Sequence, residues 1–296
     1  MTEQSQPVRL GVIGGTGLYQ IDGLKDAQWV SVESPFGEPS DQILLGNLDG
    51  LDVAFLPRHG RGHRVPPGEI NFRANIDVLK RVGVTDIVSL SAVGSLRDGL
   101  APGDFLVVDQ FVDRTFARVK SFFGAGLAAH VSMAHPVCGR IGADLMQAAG
   151  NVSDMRAVHG GTYLVMEGPQ FSTLAESELY RAWGCDVIGM TNMPEAKLAR
   201  EAEICYATVA MVTDYDCWHE DHDNVSVEGV IQVVNDNAAH ARSLIIALAA
   251  GFAGRRALCD GGCDRALENA VITAPDARDA AMVARLDAVA GRVLAP

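Results

Sequence analysis

Two carboxylates offer the sharpest chemistry in this sequence. The segment Thr213-Asp214-Tyr215-Asp216 follows residues 204–212, the most apolar run in the chain. That run predicts a strand buried on both faces. A carboxylate where such a strand ends loses solvation in its charged form. Its pKa therefore rises toward the range that a general acid needs near neutrality. The competing readings are a capping aspartate and a pair of metal ligands at i and i+2. No His or Glu stands near them with ligand spacing, so no metal is expected here.

Other candidate strand ends carry anion-friendly residues. Gly14-Gly15-Thr16-Gly17 follows the β-branched run 9–13. Its glycines let backbone N–H groups converge on an anion, and Thr16 adds a hydroxyl. Pro57-Arg58-His59-Gly60-Arg61-Gly62-His63 follows 52–56 and brings guanidinium and imidazole groups to one loop. Leu90-Ser91-Ala92-Val93-Gly94-Ser95 follows 85–90 with small hydroxyl residues. Each alone reads equally well as a tight or solvated turn. Three such ends in one open α/β sheet point to a shared phosphate site. Two further motifs are Met166-Glu167-Gly168-Pro169-Gln170-Phe171-Ser172-Thr173 and Gly189-Met190-Thr191-Asn192-Met193-Pro194-Glu195.

The elements that must position these groups alternate short apolar runs with helical stretches, the pattern of an α/β fold. Residues 42–45 and 52–56 predict paired strands around an Asp49-Gly50 turn. Residues 71–82 have helical spacing and stop before Gly83. Strands are expected at 85–90, 104–108, 162–166 and 186–188, and helices from Pro194 to about 202 and over 227–250. Two segments, 113–133 and 218–224, read as loops over a site. From Arg255 the chain turns Ala-, Asp- and Arg-rich, and a small helical extension is expected over 254–296, packed on a single domain of 8–253.

Composition narrows the classes. A net charge of −13, from 37 acidic and 24 basic residues, argues against a nucleic-acid surface, which needs a basic face. It leaves room for a small anion held by a few arginines and backbone amides. No apolar run reaches the roughly 18 residues that a membrane span requires. The first residues lack a basic and an apolar signal region, so a cytoplasmic setting is expected. Six cysteines are scattered at 138, 185, 205, 217, 259 and 263. The spacing Cys259-x-x-x-Cys263 lacks a second pair with zinc spacing, so a metal site is not expected.

Taken together, the glycine loop, Arg58-His59-Gly60, Ser91-Ala92-Val93-Gly94-Ser95, Glu167-Gly168-Pro169, Gly189-Met190-Thr191 and Thr213-Asp214 resemble the trimeric purine nucleoside phosphorylase superfamily. The branch that cleaves 5'-methylthioadenosine is the nearest, and the likeness runs from about residue 8 to residue 250. The resemblance implies a central mixed, twisted sheet flanked by helices and a homotrimer with shared sites. Its partners would be a nucleoside and inorganic phosphate as co-substrate, with no cofactor, nucleic acid or membrane. It implies phosphate held by Thr16, Arg58, His59, Ser91, Ala92 and Thr191. Met190 would lie under the ribose and Phe171 against the purine. Asp214 would protonate N7, Asp216 would meet the 6-amino group, and His130 would reach a neighbouring subunit's site.

Two positions separate branches of that superfamily. Relatives acting on 6-oxopurines carry Glu after the Phe that corresponds to Phe171 and Asn where Asp214 stands; this chain has Ser172 and Asp214. A 6-amino group donates, so a carboxylate acceptor suits it. Those relatives also place a His for the 5'-hydroxyl about where Val227 stands. Apolar Val227, with Val230 one turn on, suits a 5'-methylthio group. Gly189 departs from this branch, which often has Asn there, and matches the 6-oxopurine enzymes. The implied reaction yields adenine and 5-methylthioribose 1-phosphate. Rival readings are a 5'-methylthioinosine or general purine nucleoside phosphorylase and a non-catalytic metabolite-binding module. A dinucleotide oxidoreductase is disfavoured by the glycine spacing.

Overall fold

The computed structural model of the protein describes residues 6–15, 21–219, 227–252, 255–256 and 259–294. In chain order the elements are β1 (Gln6–Pro7), β2 (Arg9–Gly14), β3 (Lys25–Val30), β4 (Ile43–Leu48), β5 (Leu51–Pro57), α1 (Phe72–Arg81), β6 (Asp86–Ser95), β7 (Phe105–Val107), β8 (Gln110–Asp113) and α2 (Gly139–Ala149). There follow β9 (Ala157–His159), β10 (Thr162–Val165), α3 (Leu174–Ala182), β11 (Val187–Gly189), α4 (Asn192–Glu201), β12 (Cys205–Asp214), α5 (Val227–Gly251), β13 (Arg255–Arg256), α6 (Ala280–Arg285) and α7 (Asp287–Leu294).

Local chemistry explains several boundaries. Asp49 and Gly50 both take positive φ, 50° and 91°, the geometry of a tight two-residue hairpin, and they join antiparallel β4 and β5. The Asn71 side chain caps α1 by accepting from the Ala74 amide at 3.1 Å. Thr173 and Glu176 form a reciprocal capping box at the start of α3. Met193 breaks α4 with φ −120° and ψ 130°, so regular helix begins at Pro194, where the sequence places it.

Eleven strands form one mixed sheet with the path β3-β4-β5-β2-β6-β11-β10-β8, and β12, β7 and β9 branch from β6. Strand β6 is the hub. It pairs in parallel with β2 over its first half and with β12 along nearly its whole length. Its last residues pair antiparallel with β11. The sequence predicts that Ser91-Ala92-Val93-Gly94-Ser95 is a loop after a strand ending at residue 90, but residues 91–95 continue the strand. The ladder to β12 persists beyond the end of β2, so their backbone groups stay paired.

Both faces of the sheet are covered. Tyr206, Ala210 and Val212 of β12 face one core with α1, α4 and α7, while Cys205, Ala207, Val209 and Met211 face another with α2 and α5. Alternate side chains thus enter different cores, and this is why the strand is apolar throughout. Leu286, Val289, Ala290 and Leu294 of the tail join the first core. Arg292 pairs with Glu203 at 2.7 Å and Arg81 with Asp287 at 2.5 Å. Among the described residues no helix is long and apolar enough to cross a membrane.

Candidate active site

The parallel strands β5, β2 and β6 bring their carboxyl ends to one side of the sheet. Gly14 is in register with Pro57, and the Arg58 amide donates to the Gly14 carbonyl at 3.0 Å. Thr16, expected to bind phosphate, lies outside the described residues. Arg58 is buried and tightly held. Its Nε donates to Glu195 Oε2 at 2.8 Å, Nη2 to Glu195 Oε1 at 3.2 Å and to Ser89 Oγ, and Nη1 to the Leu90 carbonyl at 3.2 Å. A guanidinium has five N–H donors. Four are occupied, and the second Nη1 donor has no protein partner among the described residues.

His59 is also largely buried. Its Nδ1 lies 2.9 Å from the Val65 carbonyl, which can only accept, so the ring proton sits on Nδ1 and Nε2 keeps a lone pair. Burial, and then the nearby Arg58 cation, lower its pKa to about 4. At neutral pH His59 is therefore an uncharged acceptor, suited to the P–OH of hydrogen phosphate rather than to a bare oxyanion. Its ring stacks on His63 with centroids 4.2 Å apart. Arg61 turns away to Asp41 at 2.8 Å, and its guanidinium covers Trp29.

Ser91 and Thr191 meet although they are remote in sequence. Their hydroxyls are 3.1 Å apart, and Ser91 Oγ is 3.0 Å from the Tyr163 hydroxyl. Ala92 is the next residue along β6. Tyr163 has no signal in the sequence beyond lying in a predicted strand. Its contact explains Gly189: a Cβ there would stand 2.1 Å from the Tyr163 hydroxyl, so Gly189 makes room for the phenol.

The carboxylates form a second group. Asp214 is in register with Gly94 of β6, and a Cβ on Gly94 would come within 2.8 Å of Asp214 Oδ1. Thr213 Oγ1 donates to Asp214 Oδ2 at 2.6 Å, and the Asp216 amide donates to Oδ1 at 2.8 Å. Burial nevertheless raises the Asp214 pKa above its ordinary value, and Asp216 adds to the rise. Asp216 is raised by burial too, against the neighbouring hydroxyls of Ser177 and Ser172. The residue that separates the branches thus stands beside the second carboxylate. Ser91 and Gly94 are three residues apart on β6, a separation of about 10 Å.

Arg118, which the sequence does not mark, ties the walls together. Its Nε donates to Glu167 Oε1 at 2.9 Å, its Nη1 to the Met190 and Met193 carbonyls at 2.7 Å each, and its Nη2 to the Glu167 carbonyl at 2.7 Å. Glu167 in turn accepts from the Phe116 and Ala117 amides at 2.6 and 3.0 Å. The loop 114–133 and the segments 166–173 and 189–195 are thereby fastened to one another, and Met190 is held by its backbone. Phe171 and Val227 remain 43% and 63% exposed. Val230 is partly buried and His130 exposed. One protomer does not enclose Phe171, Val227 or His130.

Residues 9–250 match the model of the phosphorylase superfamily. An S-methyl-5'-thioadenosine phosphorylase of Rhodospirillum rubrum is 64% identical over 291 residues, 98% of each chain. One from Cereibacter sphaeroides is 63% identical over 285 residues, 96% of this chain and 98% of that one. Among solved structures, a methylthioadenosine phosphorylase from an antarctic soil metagenomic library superposes with TM-score 0.90 at 48% identity, covering 96% of this chain and 99% of that one. The Schistosoma mansoni methylthioadenosine phosphorylase in complex with adenine superposes with TM-score 0.75 at 38% identity, covering 82% and 91%.

Proposed function

This chain belongs to the phosphorylase superfamily, and from that premise we propose that it splits S-methyl-5'-thioadenosine with inorganic phosphate. The products are adenine and 5-methylthio-α-D-ribose 1-phosphate, as the names of its relatives suggest. The observation that carries the reading is the partly buried Asp214 carboxyl, whose β6 neighbour Gly94 lies about 10 Å along the strand from Ser91, where the Ser91 and Thr191 hydroxyls meet.

The bond from C1' to the base breaks ahead of nucleophilic attack, so positive charge builds on the ribose. Phosphate lying against Ser91, Ala92, Thr191 and the remaining Arg58 donor attacks C1' and stabilises that charge. His59 Nε2 accepts the phosphate hydroxyl, and Thr16 completes the cradle. Asp214, its proton retained by burial, gives it to N7, and adenine leaves neutral. Phe171 packs on the purine, Met190 lies under the ribose, and Asp216 with Ser172 selects the 6-amino group. Val227 and Val230 take the methylthio group. Gly189 accommodates Tyr163 and is compatible with this substrate. No organic cofactor enters the scheme.

The assembly belongs to this reading as well. His130 is exposed on the loop 114–133, and Val227 and Phe171 are exposed in one protomer. A homotrimer with shared sites would cover them. The domain spans 8–253, with 254–296 an extension packed on it. A reducing cytoplasmic setting suits the thiols.

The test compares 5'-methylthioadenosine, 5'-methylthioinosine, adenosine and inosine with and without phosphate. Phosphate-dependent release of adenine, fastest from 5'-methylthioadenosine, is expected. Faster turnover of the inosine forms would move the enzyme to the 6-oxopurine branch. Base release without phosphate would remove the role given to Arg58.

A further inference from the structure

Four cysteines from three separate segments converge at the amino end of β12, far from Asp214. Cys138 immediately precedes α2, Cys205 opens β12, and Cys259 and Cys263 belong to the tail. All four are buried, between 0% and 2% exposed. Their sulfur atoms all lie within 4.8 Å of one another, and the Sγ atoms of Cys138 and Cys259 are 3.6 Å apart. A tetrahedral zinc with Zn–S bonds of about 2.3 Å has S···S edges of about 3.8 Å. The sulfurs already approach that tetrahedron, whereas a polynuclear iron–sulfur cluster would have to push them apart.

The local backbone fits the same geometry. The Cys138 amide donates to the Tyr206 carbonyl at 2.8 Å, so the first two cysteines are joined across the α2–β12 junction. Cys259-Asp260-Gly261-Gly262-Cys263 is a closed turn: the Gly262 amide donates to the Cys259 carbonyl at 2.8 Å. Gly262 has φ +69°, a conformation that glycine adopts without strain. A Cβ on Gly261 would lie 3.6 Å from Cys259 Sγ and 3.9 Å from Cys263 Sγ, so the turn wraps both sulfurs. A cleft of about 350 Å³, lined also by His135 and His159, leads to Cys138 and Cys263.

We propose that Cys138, Cys205, Cys259 and Cys263 form a structural tetrathiolate zinc site that fastens the tail to the body. An all-sulfur, apolar donor set favours Zn²⁺ over oxygen-seeking cations. Binding releases up to four thiol protons to solvent and involves no oxidation. Beyond the site, the Leu267 amide donates to Glu203 at 2.9 Å, two residues before Cys205. The tail then pairs with the loop that carries His130: the His130 amide donates to the Ala270 carbonyl at 2.9 Å and the Ile272 amide to the Ala128 carbonyl at 3.0 Å. The metal would thus set that loop through the tail.

The test is metal analysis of the full-length protein purified under reducing conditions without chelator. The expected result is about one zinc per chain. Cobalt substituted for it should give the intense visible bands of a tetrahedral tetrathiolate. The double variant Cys259→Ser, Cys263→Ser should lose the zinc and melt at least about 5 °C lower. Wild-type protein stripped by a chelator should fall to the same midpoint and recover with Zn²⁺ alone. The proposal is overturned if wild-type protein lacks zinc and ignores added zinc. It is also overturned if the double variant keeps the metal, if iron occupies the site, or if intact mass under oxygen-free purification shows these thiols joined as disulfides.

Discussion

The two ends of β12 are the same strand put to opposite uses. At the carboxyl end, Asp214 lies against Gly94 with its carboxyl partly buried and its pKa raised. At the amino end, about 30 Å away along ten residues, Cys205 meets three other thiols. Burial serves both. It raises the pKa of a carboxyl at one end, and it shields four thiols from solvent at the other. The carboxyl end gathers groups from the ends of neighbouring strands, each announced by a motif. The amino end gathers cysteines from a helix start, a strand start and the tail. The two clusters thus differ in how their residues are gathered: by neighbouring strand ends in one case, by distant segments in the other.

Experiments can break this contrast between a reactive end and a fastening end. The largest effect is expected at Asp214. Asp214→Ala should lower kcat for 5'-methylthioadenosine by roughly 10²–10⁴-fold while the protein still melts cooperatively. Turnover near wild type would deny Asp214 the proton.

Arg58→Ala leaves the buried Glu195 carboxylate with the Ser89 and Tyr206 hydroxyls but without its cation. It should cost about 3–5 kcal/mol of unfolding free energy, read from urea midpoints, as well as phosphate-dependent turnover. Loss of turnover with unchanged stability would mean that Arg58 serves phosphate alone and that the Glu195 pairing is not a folding contact.

His59 provides a pH test. Its folded pKa is depressed from 6.5 to about 4, so it contributes stability that is present above pH 6.5 and lost as the pH falls toward 4. Over that window wild-type protein should lose up to about 3 kcal/mol from this group. His59→Asn, which keeps a donor for the Val65 carbonyl, should flatten that acid limb. Equal acid slopes for the two proteins would show that His59 is not held neutral by the fold.

Gly94→Ala should force Asp214 out of place with little change in stability, lowering kcat by up to about 100-fold. Unchanged kcat would show that the carboxyl does not act from this position. The smallest effect is expected at the other end. Cys259→Ser should leave kcat at saturating substrate within about 2-fold in the cold, because the site lies far from the reacting atoms, while lowering the melting midpoint. A large drop in kcat at low temperature, without unfolding, would join the two ends functionally.

Much of the catalytic end was legible in the sequence because short segments each state their own chemistry. The apolar run before Thr213 predicts a doubly buried strand, and the strand carries Asp214 where expected. Asp49-Gly50 predicts the β4–β5 hairpin, which forms. What stayed illegible depends on pairing. Strand β6 runs on to Ser95 because β12 and then β11 supply partners there, and no local pattern states that. Arg118 and Tyr163 carry no spacing signal, and they gain their places only when three motifs meet around them. The reason for Gly189 is likewise a contact across two strands.

The sequence by itself determined the alternating α/β pattern, the carboxylate at the end of an apolar strand and the set of anion-friendly strand ends. These rest on local periodicity and residue chemistry, which act over a few residues. Only the tertiary structure decided that Arg58 uses most of its donors on Glu195, Ser89 and Leu90, that His59 is neutral, and that Ser172 stands beside Asp216. It alone brought Cys138 and Cys205 to the pair at 259 and 263. Burial and long-range proximity are properties of the packed chain, and four cysteines spread over 126 residues become one cluster only after the sheet and tail have closed around them.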